Sequence, residues 1–200
     1  MATRLVSKIQ NDILVIRLEA DDGYPRLEFR VLDALEREME RLGAEDALRG
    51  GVITGTERAF AAGAEISELA SLGRAEGFEF ARRGQRVMGS LARSPKRVVA
   101  AVRGYCFGGG LDLALACSAR MATQDAAFAH PGGALGIITG WGGTQRLPAL
   151  IGKARAVEMF VTGRRVETSE ALKWGLISNV VDAADLIANA VEQARAPSQI

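Results

Sequence analysis

The sequence predicts an α/β fold, and three observations lead there. Strand-like and helix-like hydrophobic patterns alternate along the chain, as they do where helices cover a largely parallel sheet. Two short runs, Gly51-Val52-Ile53-Thr54 and Val98-Val99-Ala100-Ala101-Val102, are apolar almost throughout, the pattern of strands buried on both faces. Glycine supplies 23 of 200 residues, against ~7% in typical chains, and ten of those glycines lie between Gly104 and Gly143. Such a cluster marks backbone that turns tightly or lets a ligand come close.

The elements follow in order. Leu5 to Ile9 and Ile13 to Leu18 read as a hairpin joined at Asn11-Asp12. Turn residues fill Ala20 to Arg26. Val31, Leu32, Leu35, Met39 and Leu42 then recur at helical spacing, with Gly43 at the expected C-terminal cap. The strand at Gly51–Thr54 runs into a loop of small residues, Gly55 to Ala64. A charged helix is expected from about Glu76 to Leu91, with Phe80, Val87 and Leu91 on one face. The second apolar strand, Val98–Val102, enters the loop Arg103–Gly110 and then a helix from Leu111 to Cys117. Ala119–Ala122 and Ala126–Ala129 are short strands, and Pro131–Gly143 is a glycine-rich loop. Helices are expected at Thr144–Ile151, at Lys153–Val161 closed by Gly163, and at Thr168–Trp174 closed by Gly175. Leu176–Val181 returns as a strand, and Asp182 caps a last helix to about Arg195. With no internal repeat, linker or low-complexity stretch, residues 1–200 read as one domain, its core about 3–181 and its terminal helix about 183–195.

Composition removes several classes of function. Hydrophobic residues at 48% and charged residues at 24% are ordinary globular values, so the chain is not disordered. A net charge of +1 gives no field to recruit nucleic acid or an anionic membrane. No apolar run approaches membrane-spanning length, and the first ten residues hold no signal-peptide core. Two cysteines, Cys106 and Cys117, without a CxxC spacing, fit a reducing cytoplasm. With His130 the one histidine, a zinc site has too few ligands, and no metal is expected.

Two segments share a plan: a buried strand, a loop of Gly and Ala, then a helix start. One is Gly51–Thr54 followed by Ala61-Ala62-Gly63-Ala64. The other is Val98–Val102 followed by Gly108-Gly109-Gly110. Small residues there either permit close helix–strand packing or let a ligand oxygen reach unpaired backbone amides at the helix start. Two such amides that converge form an oxyanion hole. Known alternatives fail on the letters. Gly108-Gly109-Gly110 does not fit G-x-G-x-x-G, Gly152-Lys153-Ala154 lacks the Ser or Thr of a phosphate loop, and no G-x-S-x-G occurs.

Four segments resemble those of the enoyl-CoA hydratase/isomerase (crotonase) superfamily. Ala59-Phe60-Ala61-Ala62-Gly63-Ala64-Glu65-Ile66 resembles its AFxAGADI segment, and the run Ala101 to Leu113 resembles AAVxGxxxGGGxEL. Gly140-Trp141-Gly142-Gly143-Thr144-Gln145-Arg146-Leu147 resembles PGxGGTQRL, and Glu170 to Ile177 is similar to EAxxxGLV. The resemblance implies a spiral of ββα units and an acyl-CoA thioester whose carbonyl is held by the backbone amides of Ala64 and Gly109. It places the Ala62 carbonyl and Gly63, Ala64, Glu65 and Ile66 against the coenzyme A adenine, with Gly110 in the second loop. Coenzyme A is then part of the substrate, no separate cofactor is needed, and a homo-oligomer, trimer or hexamer, is implied.

The sequence also departs from that pattern. Hydratases of the family use two glutamates; Asp112 stands at the place of the first, as in the dienoyl-CoA isomerase branch. Gly132 stands at the place of the second, and Gly140 where the dienoyl isomerases carry an aspartate. His130, Thr139, Trp141 and a bound water are the candidates to replace the missing carboxylate, with Trp141 also a candidate wall of the acyl pocket. The family's P-x-x-x-N-A-L segment is replaced by Pro25-Arg26-Leu27-Glu28-Phe29, where Arg26 is either a phosphate contact or a solvated turn residue. The end of the sequence shows no sign of the further helices of relatives, which implies a shortened C-terminal helical region and a more open acyl site. An enolate-forming lyase or isomerase is expected, the alternative being a coenzyme A thioester-binding homologue with lost or altered catalysis.

Overall fold

Both faces of the two apolar runs are covered, which is why no polar residue interrupts them. The computed structural model describes residues 2–196. The chain opens with β1 (Arg4–Gln10) and β2 (Ile13–Glu19), an antiparallel hairpin whose Asn11 and Asp12 take φ of 50° and 64°. That left-handed pair matches the twist of the flanking strands, as expected from Asn-Asp. After α1 (Phe29–Ala44) come β3 (Gly50–Thr54), β4 (Ala59–Ala61), α2 (Ile66–Ser71) and α3 (Arg74–Ala92). A second pass runs through β5 (Arg97–Val102), β6 (Tyr105–Phe107) and α4 (Gly109–Ala116). A third runs through β7 (Ala119–Ala122), β8 (Ala127–Ala129), a 3-10 turn at Pro131–Leu135, α5 (Gly143–Ile151) and α6 (Lys153–Thr162). The chain then forms β9 (Val166–Glu167), α7 (Thr168–Lys173), β10 (Asn179–Val180) and α8 (Leu186–Arg195).

Each pass therefore puts one strand into a large sheet and the next into a small one before the helix. The large sheet has the order β1-β2-β3-β5-β7-β10 and the small one β4-β6-β8-β9. From β2 onward the large sheet is parallel; in the small sheet β4, β6 and β8 are parallel and β9 is antiparallel to β8. One face of the large sheet, with Leu14, Ile16, Ile53, Val98 and Ala100, packs with Phe60 and Phe128 of the small sheet and with α1 and α3. The other face, with Ile13, Val15, Val52, Val99 and Met121, is covered by Leu186, Ala190, Val191 and Ala194 of α8.

The differences from the sequence reading have local causes. Gly43 lies inside α1 and the cap is Glu45, two residues further on, whose amide donates to the Arg41 carbonyl. The loop expected from Gly55 to Ala64 contains β4, and the one before α4 contains β6, both too short to show a period. The α4 helix begins at Gly109, two residues earlier than its first large apolar residue. β9 falls between two expected helices, where the sequence marks no element. Only Asn179 and Val180 of the expected strand 176–181 pair with β7. Asp182 does not cap α8; it accepts a turn bond from the Asp185 amide, and the helix starts at Leu186. Residues 197–200, read in the sequence as carrying no further helix, lie outside the described residues.

Candidate functional site

Because β4 and β6 run parallel in neighbouring positions, the loops that leave them emerge at the same edge of the small sheet. Gly63 has a φ of 102°, a conformation that costs a side-chain-bearing residue, and a Cβ there would sit 3.1 Å from the Phe107 carbonyl oxygen and 3.5 Å from the Gly109 nitrogen. The first loop is held from outside: the Ala62 amide donates to the Pro25 carbonyl and the Leu27 amide to the Gly63 carbonyl, each at 2.8 Å. In the second, the Gly108 amide donates to the Ala129 carbonyl at 2.9 Å and the Gly108 carbonyl accepts the Asp112 amide at 3.0 Å. Gly109 thus opens α4, and its amide is a first-turn donor that the helix cannot itself satisfy. At the first junction α2 starts at Ile66 behind the cap Glu65, so Ala64 lies in the loop, where the sequence puts it.

The two loops line one cavity of about 390 Å³. Of the residues singled out in the sequence, Ala62, Gly63, Ala64, Ile66, Gly109, Asp112, Gly132, Thr139 and Trp141 all reach it. Glu65 and Gly110 are not among its walls. The Glu65 carboxylate accepts from the Ser67 amide at 3.2 Å and pairs with Arg26, also at 3.2 Å. Arg26 is further held by Asp22 at 2.9 Å, so its guanidinium is already engaged. Gly110 is buried against β4, where a Cβ would fall 2.3 Å from the Ala61 carbonyl oxygen; its role is packing. Phe80, Ile137, Ile138 and Phe160 complete an apolar lining that the motifs did not mark.

Trp141 forms one wall. Its indole lies between α3 and α4 because both helices present glycine to it: a Cβ at Gly84 would meet Nε1 at 2.1 Å, and one at Gly109 would meet Cζ3 at 2.5 Å. Phe80 packs edge-on to the same ring with centroids 5.2 Å apart. The Trp141 carbonyl accepts from Arg146 at 3.0 Å, and its amide donates to the Asp112 carboxyl.

Asp112 is fully buried on the cavity wall, in the first turn of α4. Thr139 Oγ1 donates to its Oδ2, which makes Thr139 a partner of the carboxylate. Burial pushes the Asp112 carboxyl up to about 6, opposed by the Thr139 hydroxyl, the Trp141 amide and the charge of Arg146. A first-turn position by itself favours the ionised form; desolvation outweighs the helix dipole here. Near neutrality the group is still mostly ionised. His130, also buried, places Nε2 3.6 Å from Asp112 Oδ1, and neither atom has a hydrogen-bond partner. Burial holds the imidazole down at about 4, so it is neutral at pH 7 and the contact is not an ion pair. Cys106 and Cys117 are buried with thiols pushed up by desolvation, and neither is a nucleophile.

Gly132 lies in the 3-10 turn, its carbonyl accepting the Ile137 amide at 3.0 Å. It lends the cavity backbone and no carboxylate. Among the described residues, no helix is long and apolar enough to cross a membrane.

Known proteins resemble this chain over almost its whole length. The sequence profile of the family described as "Enoyl-CoA hydratase/isomerase" matches residues 8–198. "Probable enoyl-CoA hydratase echA8" of Mycobacterium tuberculosis (strain CDC 1551 / Oshkosh) is 37% identical over 201 residues, covering 99% of this chain and 76% of that protein. The crystal structure of enoyl-CoA hydratase from Bacillus anthracis superposes with a TM-score of 0.90 at 33% identity, over 95% of this chain and 74% of the other. A structure from Geobacillus kaustophilus HTA426, also titled as an enoyl-CoA hydratase, gives a TM-score of 0.91 at 28% identity, over 96% and 73% of the two chains.

Proposed function

The chain belongs to the enoyl-CoA hydratase/isomerase family, and from that premise we propose that it forms and reprotonates the enolate of an acyl-CoA thioester. One observation carries the reading: the Ala64 loop, the Gly109 amide and the buried Asp112 carboxylate all border the same cavity. The thioester oxygen accepts hydrogen bonds from the Ala64 and Gly109 amides. Asp112 takes the proton from the α-carbon, the C–H pair becomes the carbon–carbon double bond of the enolate, and the carbonyl pair moves onto the held oxygen. Each donor of such a hole contributes about 2.7–4 kcal/mol to the transition state. The apolar lining receives the acyl chain, and coenzyme A, as part of the substrate, supplies no chemistry of its own.

Water addition is a different matter. It needs a second group to hold and activate the water, and Gly132 offers only its backbone. Slow hydration of crotonyl-CoA therefore accompanies the reading, with proton transfer at carbon as the principal chemistry.

Incubating butyryl-CoA with the protein in deuterated water tests this directly. The expected result is incorporation of deuterium at the α-carbon, read by mass spectrometry, and its loss in Asp112→Asn. Wild-type protein that leaves the α-hydrogens in place would overturn the assignment and favour a thioester-binding protein without catalysis.

A further inference from the structure

The cavity holds one pair of polar atoms that the enolate chemistry does not use. Asp112 has a free oxygen, Oδ1, because Thr139 occupies Oδ2. His130 has a free ring nitrogen, Nε2, 3.6 Å away. Both side chains are more than nine-tenths buried, with 0% and 4% of their surfaces exposed, and both border the cavity. A buried polar atom without a partner is costly, and two that stand side by side in a cavity wall call for an explanation such as a catalytic role.

We propose that His130 is the second proton carrier of this site, accepting the proton that Asp112 removes and delivering it to the γ-carbon of a β,γ-unsaturated acyl thioester. The inference rests on Asp112 being the base that forms the enolate. In a β,γ-enoyl thioester, Asp112 takes the α-proton and the electrons delocalise as a dienolate, with charge on the thioester oxygen. The protonated Oδ1 is then a donor facing the lone pair of Nε2, in the imidazole tautomer that carries its hydrogen on Nδ1. Transfer gives the imidazolium and restores the carboxylate. The imidazolium protonates the γ-carbon; the β,γ pair forms the new C–H bond, the α,β double bond forms, and the carbonyl closes. One proton has moved from the α- to the γ-carbon, and both side chains return to their starting states.

The geometry suits a shift of this kind. The α- and γ-carbons lie about 2.5 Å apart, separated by one carbon–carbon single bond and one double bond. A pair of proton acceptors 3.6 Å apart in one wall addresses both from the same side of the chain. The imidazole is held for the purpose. It stands where β8 ends, between the anchored Ala129 carbonyl and Pro131, with the Phe160 ring centroid 5.0 Å from its own. Catalytic hydrogen bonds are commonly longer without substrate and close in the complex. Burial also makes the imidazolium a strong acid, as protonation of carbon requires.

The test compares wild-type protein with His130→Gln and His130→Leu in two assays in deuterated water. One follows α-exchange of butyryl-CoA, which needs only Asp112 and the oxyanion donors. The other follows conversion of 3-butenoyl-CoA to crotonyl-CoA, with deuterium counted at the γ-carbon. In both variants the ratio of isomerisation to α-exchange should fall by about 100-fold or more, the usual size of a general acid contribution. Isomerisation at the wild-type rate in either variant would overturn the proposal. So would a parallel fall of both activities in both variants, which would make His130 a mere support for Asp112. Wild-type protein that exchanges but does not isomerise would overturn it and leave the enolate reading standing. Wild-type protein that does neither would remove both.

Discussion

Asp112→Asn removes a buried charge while keeping the shape of the side chain, so its effects on stability and on proton transfer run in opposite directions. Burial raises this carboxyl from 3.8 to about 6 in the folded protein. Between those values the folded state keeps a proton that the unfolded chain releases, so stability falls as pH rises through the interval and then levels off. The difference corresponds to about 3 kcal/mol of destabilisation above pH 6, at 1.36 kcal/mol for each decade. An asparagine escapes it, and its amide can donate to His130 Nε2, which lacks a partner in the wild type. Thermal melts of the two proteins should coincide near pH 3.5, diverge between pH 4 and 6, and stay apart above, the variant being higher by roughly 6–12 °C for a domain of this size. Its α-exchange should fall by about 10²–10⁴-fold. In the wild type, exchange should rise with pH through about 6 and then hold level, since the ionised form is the base. A variant that melts below the wild type at pH 7, or one that still exchanges, would refute the account of Asp112 as a desolvated catalytic base.

Gly63→Val should abolish thioester binding in calorimetry, because a β-branched residue at a φ of 102° is strained and its side chain would crowd the Gly109 amide; unchanged binding would move the site elsewhere. Gly132→Glu should fail to restore hydration and should lower the melting temperature. Its Cβ would meet the Ile137 carbonyl oxygen at 2.8 Å, a backbone atom that cannot step aside without opening the turn. Gly140→Asp has room, with Ala81 Cβ at 4.0 Å as its nearest neighbour, and should be tolerated with the fold intact; crotonyl-CoA hydration assayed on both variants separates the two positions. Self-association should appear in light scattering as a species of about 64 kDa, three times the 21.3 kDa chain, with exposed Val157, Val161 and Leu172 as apolar surface to cover; a clean monomer would count against it.

How much of this was legible in the sequence depends on the range of the interaction concerned. The two buried strands could be read because a strand covered on both faces leaves an uninterrupted apolar run, as Val98–Val102 does between the main core and α8. The loops at Gly63 and Gly109 could be read because close backbone approach leaves glycine in the letters. β4 and β9 could not, since strands of three and two residues carry no period. A first-turn place favours an ionised Asp112, and near neutrality it is mostly ionised; that burial nonetheless raises its carboxyl shows only in the packing around it. The pairing with His130 joins residues eighteen positions apart on α4 and at the end of β8, and no spacing rule connects a helix start to the neighbouring strand's exit. The same contact explains why the missing glutamate does not settle the chemistry. A carboxylate is absent at Gly132, but two residues earlier the chain turns an imidazole into the cavity. A neutral base beside a single carboxylate favours moving protons between carbons over activating water, because only one negative charge is held in the pocket and nothing else there fixes a hydroxide in place.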